Sequence, residues 1–374
     1  MNNIRNTYAN VVNVNGTREE IEIRFGKTMG APFLKKQTQV QTTNRIILSP
    51  YATKRLAALL HTHIKEYDER YGSLDEPAFS TPDTIELGID LLPSEFRTLR
   101  TEKEGGLLLD LIRNLGVKVG FERSIKLFPD VVLANRFLAG FRRKGTEDGM
   151  DKNILGICRA VDMPHDFLKA FQEGLPEANI VLFGFEEQEK NCVYKAYLEF
   201  GGRFDKIFEK TDNQPDPFII HVGYKWDTRE NSRNAVAEYK CFPGIPVKAI
   251  LGRLSNSFYG NRADDIFEIT SKIIDMALRR IEPHEILYLE VGEENNPRRS
   301  FDLNIYRANL TLEELYPFLL KMFKYFSISP KIFNDLYEPV KKQIFGHISG
   351  GIDREGRDFL TIYFGVKGSS RVPG

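Results

Sequence analysis

The stretch NIVLFGFEEQEKNCVYKAYLEF, residues 179–200, decides how the chain is read. Two runs rich in β-branched and aromatic residues flank the polar EEQEKN, the pattern of two strands joined by a tight turn. Side chains alternate across a strand, so Lys195, Tyr197 and Glu199 share one face while Tyr194, Ala196, Leu198 and Phe200 share the other. One face is apolar throughout, and the other is charged and phenolic.

The pattern recurs on both sides of this stretch. Hairpins are expected from PFIIHVGYKWD with AVAEYKCF (217–227 and 235–242), from EILYLEVGEENNPRRSFDLNIYRA (285–308) and from FGHISGGIDREGRDFLTIYFGV (345–366). VKVGFERSIKLF with VVLANRFLAGFRR (117–128 and 131–143) supplies a fifth pair. Helical stretches such as MPHDFLKAFQEGLPE, ADDIFEITSKIIDMALRRIEP and LTLEELYPFLLKMFKYF separate the pairs, giving a loose helix-strand-strand-helix repeat. Strands joined by tight turns pair antiparallel, and ten can close into a barrel without exposed edges. The expected fold class is therefore α+β: a closed ten-stranded antiparallel barrel ringed by helices. An open sheet with one wet face satisfies the same alternation.

In the barrel reading the polar faces line the lumen. His221 and Lys225, Tyr288 with Glu290, Asp302, Asn304 and Tyr306, His347, and Thr361 and Tyr363 are then lumen candidates. Tyr197, Tyr239, Tyr306 and Tyr363 recur mid-strand in the second member of a hairpin.

The order and spacing of FERSIKLFPDVVLANRFLAGF (121–141), NIVLFGFEEQEKNCVYKAYLEFGGRFDKIFEKTD (179–212), the NNP hairpin and the glycine-rich last hairpin resemble the cyanobactin-type peptide prenyltransferases, relatives of the aromatic prenyltransferases. The resemblance covers most of residues 107–367. It implies transfer of an isoprenoid, dimethylallyl or longer, from its diphosphate to a ribosomal peptide, an amino acid or an aromatic acceptor. By the same resemblance Arg136 and Lys195 hold the diphosphate, and Glu122 stands near the acceptor nucleophile as a general base. Ionising an allylic diphosphate needs donors for the anion and a dry, electron-rich wall for the cation; Tyr197, Tyr239, Tyr306 and Tyr363 are the candidates for that wall. Glu199 departs from the family, which tends to present a basic residue there. A Mg²⁺ cofactor, held through the diphosphate and Glu199 or Asp302, would reconcile the carboxylate with an anionic substrate. A catalytically silent barrel that binds a peptide or an isoprenoid is the alternative.

At the other end, VVNVNG and EIEIRF (11–16 and 20–25) read as strands, and RIILSPYATKRLAALLHTHIKEYDERYG (45–72) as a helix with Ser49 as its cap. This strand-strand-helix module resembles a small bacterial family of unknown function and carries no chemistry. The expected organisation is a module over 1–75, a linker over 76–105 rich in proline, glycine and charge, the barrel over 106–368 and a tail over 369–374. Among 374 residues, 52 basic side chains balance 52 acidic ones, so no global field recruits nucleic acid. Three widely spaced cysteines argue against a zinc site and a disulfide scaffold. No segment has the apolar run of a membrane span, and the N-terminus lacks the pattern of a secretory signal, so a cytoplasmic location is expected.

Overall fold

The structure, a computed structural model, describes residues 11–16, 21–29, 39–49, 51–56, 59, 60, 62, 63, 98–143, 149–202, 216–227, 229, 234–256 and 263–367. The chain divides into two compact units, Met1–Thr84 and Ile85–Gly374. In the first, strands β1 (Val11–Gly16), β2 (Ile21–Met29) and β3 (Gln39–Leu48) form an antiparallel sheet in that order. The third strand was not expected: RIIL, read as the approach to the helix, pairs with β2 instead, Ile46 lying opposite Ile23. Helix begins at residue 51, and the Ser49 hydroxyl accepts from the Ala52 amide at 3.3 Å.

The second unit holds β4 (Gly120–Phe128), β5 (Val131–Leu133), β6 (Arg136–Arg142), β7 (Ile180–Glu187), β8 (Cys192–Glu199), β9 (Phe218–Asp227), β10 (Ala235–Cys241), β11 (Leu287–Glu293), β12 (Arg299–Asn304), β13 (Phe345–Ile352) and β14 (Asp358–Lys367). Ten of these strands pair antiparallel in sequence order, and β14 closes on β4 with Tyr363 opposite Ser124 and Thr361 opposite Lys126. The sheet is a closed barrel. The three-residue β5 is an extra strand on β4, within the first hairpin.

The apolar faces point outward under helices, as the alternation requires. Helices α1 (Gly106–Arg113), α2 (Met150–Ala160) and α3 (His165–Gly174) cover β6–β9, burying Phe137, Phe183, Phe185 and Leu198. Helices α4 (Val247–Leu254), α5 (Ala263–Ala277), α6 (Tyr316–Tyr325) and α7 (Pro330–Tyr337) cover β11–β14, burying Phe301, Leu303, Ile348 and Ile362. Each such side chain contributes about 1.5–3 kcal/mol when removed from water. Trp226 is buried in the first layer and donates its indole N–H to the Val161 carbonyl at 2.9 Å. Cys158, Cys192 and Cys241 are free and buried.

Residues 101–105, inside the expected linker, form a helical turn that runs into α1. They seat against the barrel: Thr101 bonds Glu187 through its hydroxyl, and a Cβ at Gly105 would stand 3.2 Å from the Phe185 ring. The linker before residue 98 and the tail 369–374 lie outside the described residues.

Candidate active site

Strand register fixes which side chains meet inside the barrel. Lys195 lies directly opposite Lys225, Tyr197 opposite Gly223, and Glu199 opposite His221. Along β4 the inward positions are Glu122, Ser124 and Lys126, so Glu122 and Lys126 stand about 13 Å apart along the strand at ~3.3 Å per residue. The lumen thereby acquires two chemically different levels.

The first level is cationic. Arg136 Nε and Lys195 Nζ converge on one oxygen of Glu186, at 2.8 and 2.6 Å. Lys225 Nζ and Arg298 Nη1 reach Glu293 at 3.1 and 2.8 Å, and Arg354 Nη2 approaches it at 3.1 Å. Lys126 Nζ hangs between the rings of Phe128 and Phe359, 4.5 and 4.6 Å from their centroids. Burial would raise the Glu186 carboxyl, yet Lys195, Arg136 and Lys126 hold it well below the usual carboxylate range. For the lysines burial wins: Lys126 is pushed down to about 7 and Lys195 to about 8, both opposed by Glu186, and Lys225 falls well below its usual value. Arg136 stays charged because Glu186 and Tyr363 outweigh its burial. Its Nη1 is buried and has no hydrogen-bond partner among the described residues. A buried guanidinium with an unspent donor is set for an anion.

The second level joins carboxylates, an imidazole and phenols. His347 offers Nδ1 to both oxygens of Asp302 at 2.9 Å and Nε2 to Glu122 at 3.1 Å. Tyr306 donates its hydroxyl to the other Glu122 oxygen. The Tyr363 ring stacks on His347, 3.8 Å between centroids at 12°. Burial would lower the His347 pKa, but Asp302 and then Glu122 hold it well above the ordinary histidine value. Across the lumen Tyr197 and Tyr239 meet edge to face at 5.9 Å, and Tyr239 meets His221 at 5.7 Å. Burial, with the charge of His347, pushes His221 down to about 4, and burial pushes Glu199 up to about 7. Their closest N···O approach is 3.7 Å.

Two glycines make room for this wall. A Cβ at Gly223 would fall 2.5 Å from the Tyr197 ring, and one at Gly346 would fall 2.0 Å from that of Tyr306. Tyr306 does not belong to a strand as expected. It opens the turn Tyr306–Ala308 after β12, and its ring crosses Gly346 to reach Glu122.

The structure brings Arg136 and Lys195 together, and Glu122, Tyr306, His347, Tyr363 and Asp302 together. Asn304, Thr361, Lys225 and His221 also fall on lumen positions, in register with His347, Lys126, Lys195 and Glu199 respectively. Tyr288 is a correction. It lies opposite Leu303 and packs against Phe242 in the outer core, so Leu289 and Val291 face inward instead. Glu290 accordingly meets Arg253 on the outside. Sequence reasoning missed Glu186, Glu293 and Arg298, and it did not place Lys126 in the lumen. The shared phase of Glu122 and Lys126 along β4 was the available signal.

A family model described as a protein of unknown function (DUF3467) matches residues 1–76. No curated protein matches the chain. Among solved structures, the chain is similar to a 6-dimethylallyl tryptophan synthase at 11% identity, over 72% of this chain and 96% of that one, with a TM-score of 0.45. It is similar to AnaPT from Neosartorya fischeri at 12% identity, over 67% and 79% of the two chains, with a TM-score of 0.42. For NotF prenyltransferase the figures are 11%, 68%, 81% and 0.41. Residue roles rest on the geometry of this chain. No described helix is long and apolar enough to cross a membrane.

Proposed function

We propose that the barrel is a prenyltransferase, moving an isoprenoid from its diphosphate to a peptide, amino-acid or aromatic acceptor. The observation that carries this reading is the buried, unpartnered Arg136 Nη1 within a level where Lys126, Arg136, Lys195, Lys225 and Arg298 face two carboxylates, Glu186 and Glu293. Such a level suits a compact, multiply charged anion. The phenols of Tyr197, Tyr239, Tyr306 and Tyr363 suit the other half of an allylic diphosphate, because a desolvated cation over an aromatic face gains about 2 kcal/mol.

In this mechanism the bond between the allylic carbon and the diphosphate oxygen breaks, and both its electrons leave with the anion. Arg136, Lys195 and Lys126 stabilise that charge as it forms. The acceptor attacks the carbon while the tyrosine rings exclude water, and Glu122 takes the acceptor proton. Ribosomal peptides remain one acceptor class in this reading, alongside free amino acids and other aromatics.

Magnesium fits less well. Asp302 gives both oxygens to His347, and Glu199 stands four residues along β8 from Lys195, near His221 rather than the cations. Neither carboxylate is presented to a diphosphate at the cationic level, and no step is routed through a metal. Incubation with dimethylallyl diphosphate and a mixed peptide and amino-acid library, with and without EDTA, tests the function. Products heavier by one isoprene unit are expected. Tight diphosphate binding without product for any donor length or acceptor would make the protein the silent binder.

A further inference from the structure

His347 is the one imidazole among the described residues with a carboxylate on each ring nitrogen, Asp302 from β12 and Glu122 from β4. A neutral imidazole has one donor and one acceptor nitrogen, so it can satisfy only one of two carboxylates. The imidazolium satisfies both. Every other group facing the pair agrees with that state: Tyr306 donates to Glu122 from its second side, and Tyr363 of β14 offers an electron-rich face to the ring. His221 of β9 is held neutral, in part by the charge of His347.

We propose that His347 is a positioning residue, a permanently charged bridge that ties Glu122 to Asp302 and sets the Glu122 carboxylate beside the acceptor site. The bridge has three effects in the transfer reaction. It keeps Glu122 from swinging toward the cations one level away. It offsets one of two neighbouring carboxylate charges, so Glu122, His347 and Asp302 together carry a single net negative charge. It also engages one Glu122 oxygen while Tyr306 engages the other, so the carboxylate is held in one orientation with its remaining lone pairs left for the acceptor. The role of the bridge in turnover rests on the prenyl-transfer reading, whereas its existence does not.

The two can be tested apart. Protein labelled with ¹⁵N-histidine carries six imidazoles, and the His347 signals are identified by their loss in His347→Gln. Both ring nitrogens of His347 should remain protonated well above neutral pH in the full chain. In Asp302→Asn the transition should drop toward the ordinary histidine value of about 6.5. A neutral His347 at pH 7 in the unaltered chain would overturn the bridge whatever the protein catalyses. For turnover, His347→Gln should lower kcat about 10²-fold, with the donor KM little changed. The Asp302→Asn enzyme should lose kcat as pH rises from 6 to 8, a range in which the unaltered enzyme is flat. A flat profile in Asp302→Asn, with normal kcat in His347→Gln, would overturn the positioning role. Absence of transfer by the unaltered protein, with His347 charged, would remove the function and leave the bridge.

Discussion

The two levels of the lumen are built from the same strands by the same alternation, yet they hold opposite charge. On β4 Lys126 belongs to the cationic level and Glu122 to the other. β8 likewise carries Lys195 at one level and Glu199 two inward positions further on. At the cationic level carboxylates serve the cations: Glu186 and Glu293 sit centrally and leave an Arg136 nitrogen unspent. At the other level a cation serves the carboxylates, since His347 lies between two of them. A barrel interior can thus hold a field along its axis with no net charge on the chain. For a reaction that separates an anion from a carbocation, that axis is the useful direction.

Four measurements bear on this polarity. Glu122→Gln removes the base and should lower kcat by about 10²–10⁴-fold while diphosphate affinity holds. Arg136→Met acts on the anion instead and should weaken inorganic diphosphate in calorimetry by about 10- to 100-fold, the range for charge-assisted hydrogen bonds of ~1.5–3 kcal/mol. If Glu122→Gln abolished diphosphate binding and Arg136→Met spared it, the two levels would be wrongly assigned. Next in size is pH. A lysine binds an anion well only when protonated, and Lys126 and Lys195 lose their protons near 7 and 8 in the free protein. Diphosphate affinity should be greatest below pH 7 and weaken as pH rises, by up to about tenfold per unit for each lysine that must take up a proton. An affinity constant from pH 6.5 to 9 would place the anion elsewhere. The smallest effect is structural: Gly223→Ala sets a methyl against the Tyr197 ring and should destabilise by about 1–3 kcal/mol. Calorimetry should show a fall of roughly 2–4 °C in Tm per kcal/mol, and an unchanged Tm would mean that the Tyr197 ring moves freely.

Much of this architecture was legible where one face of a strand is uniformly apolar. In VYKAYLEF the partition is unambiguous, and the structure follows it with Lys195 and Tyr197 inward and Tyr194 and Leu198 in the outer core. It failed in ILYLEV. There Leu287, Leu289 and Val291 form the apolar row and Tyr288 with Glu290 the polar one, so alternation points the wrong row inward, and only the pairing of Leu289 and Val291 with Asp302 and Ser300 sets the phase. Lys126 was ambiguous for a different reason. Its inward position opposite Thr361 depends on closure between β4 and β14, segments far apart in sequence. Arg298 sits in the turn before β12, where an arginine defaults to solvent, and only Glu293 and the Phe359 ring draw it inward. The reach of Tyr306 likewise follows from a turn whose direction periodicity does not encode. Closure itself could not be told from an open sheet by pattern alone.

That closing seam has a kinetic meaning. Glu122 and His347 meet across 225 residues of chain, so the first strand of the cylinder must wait until the last hairpin has been made for its closing neighbour. Until then β4 is an unzipped edge and the ionic side chains are open to bulk water. Contacts of such long range slow folding, and the half-made vessel can recruit a strand from another molecule as readily as its own.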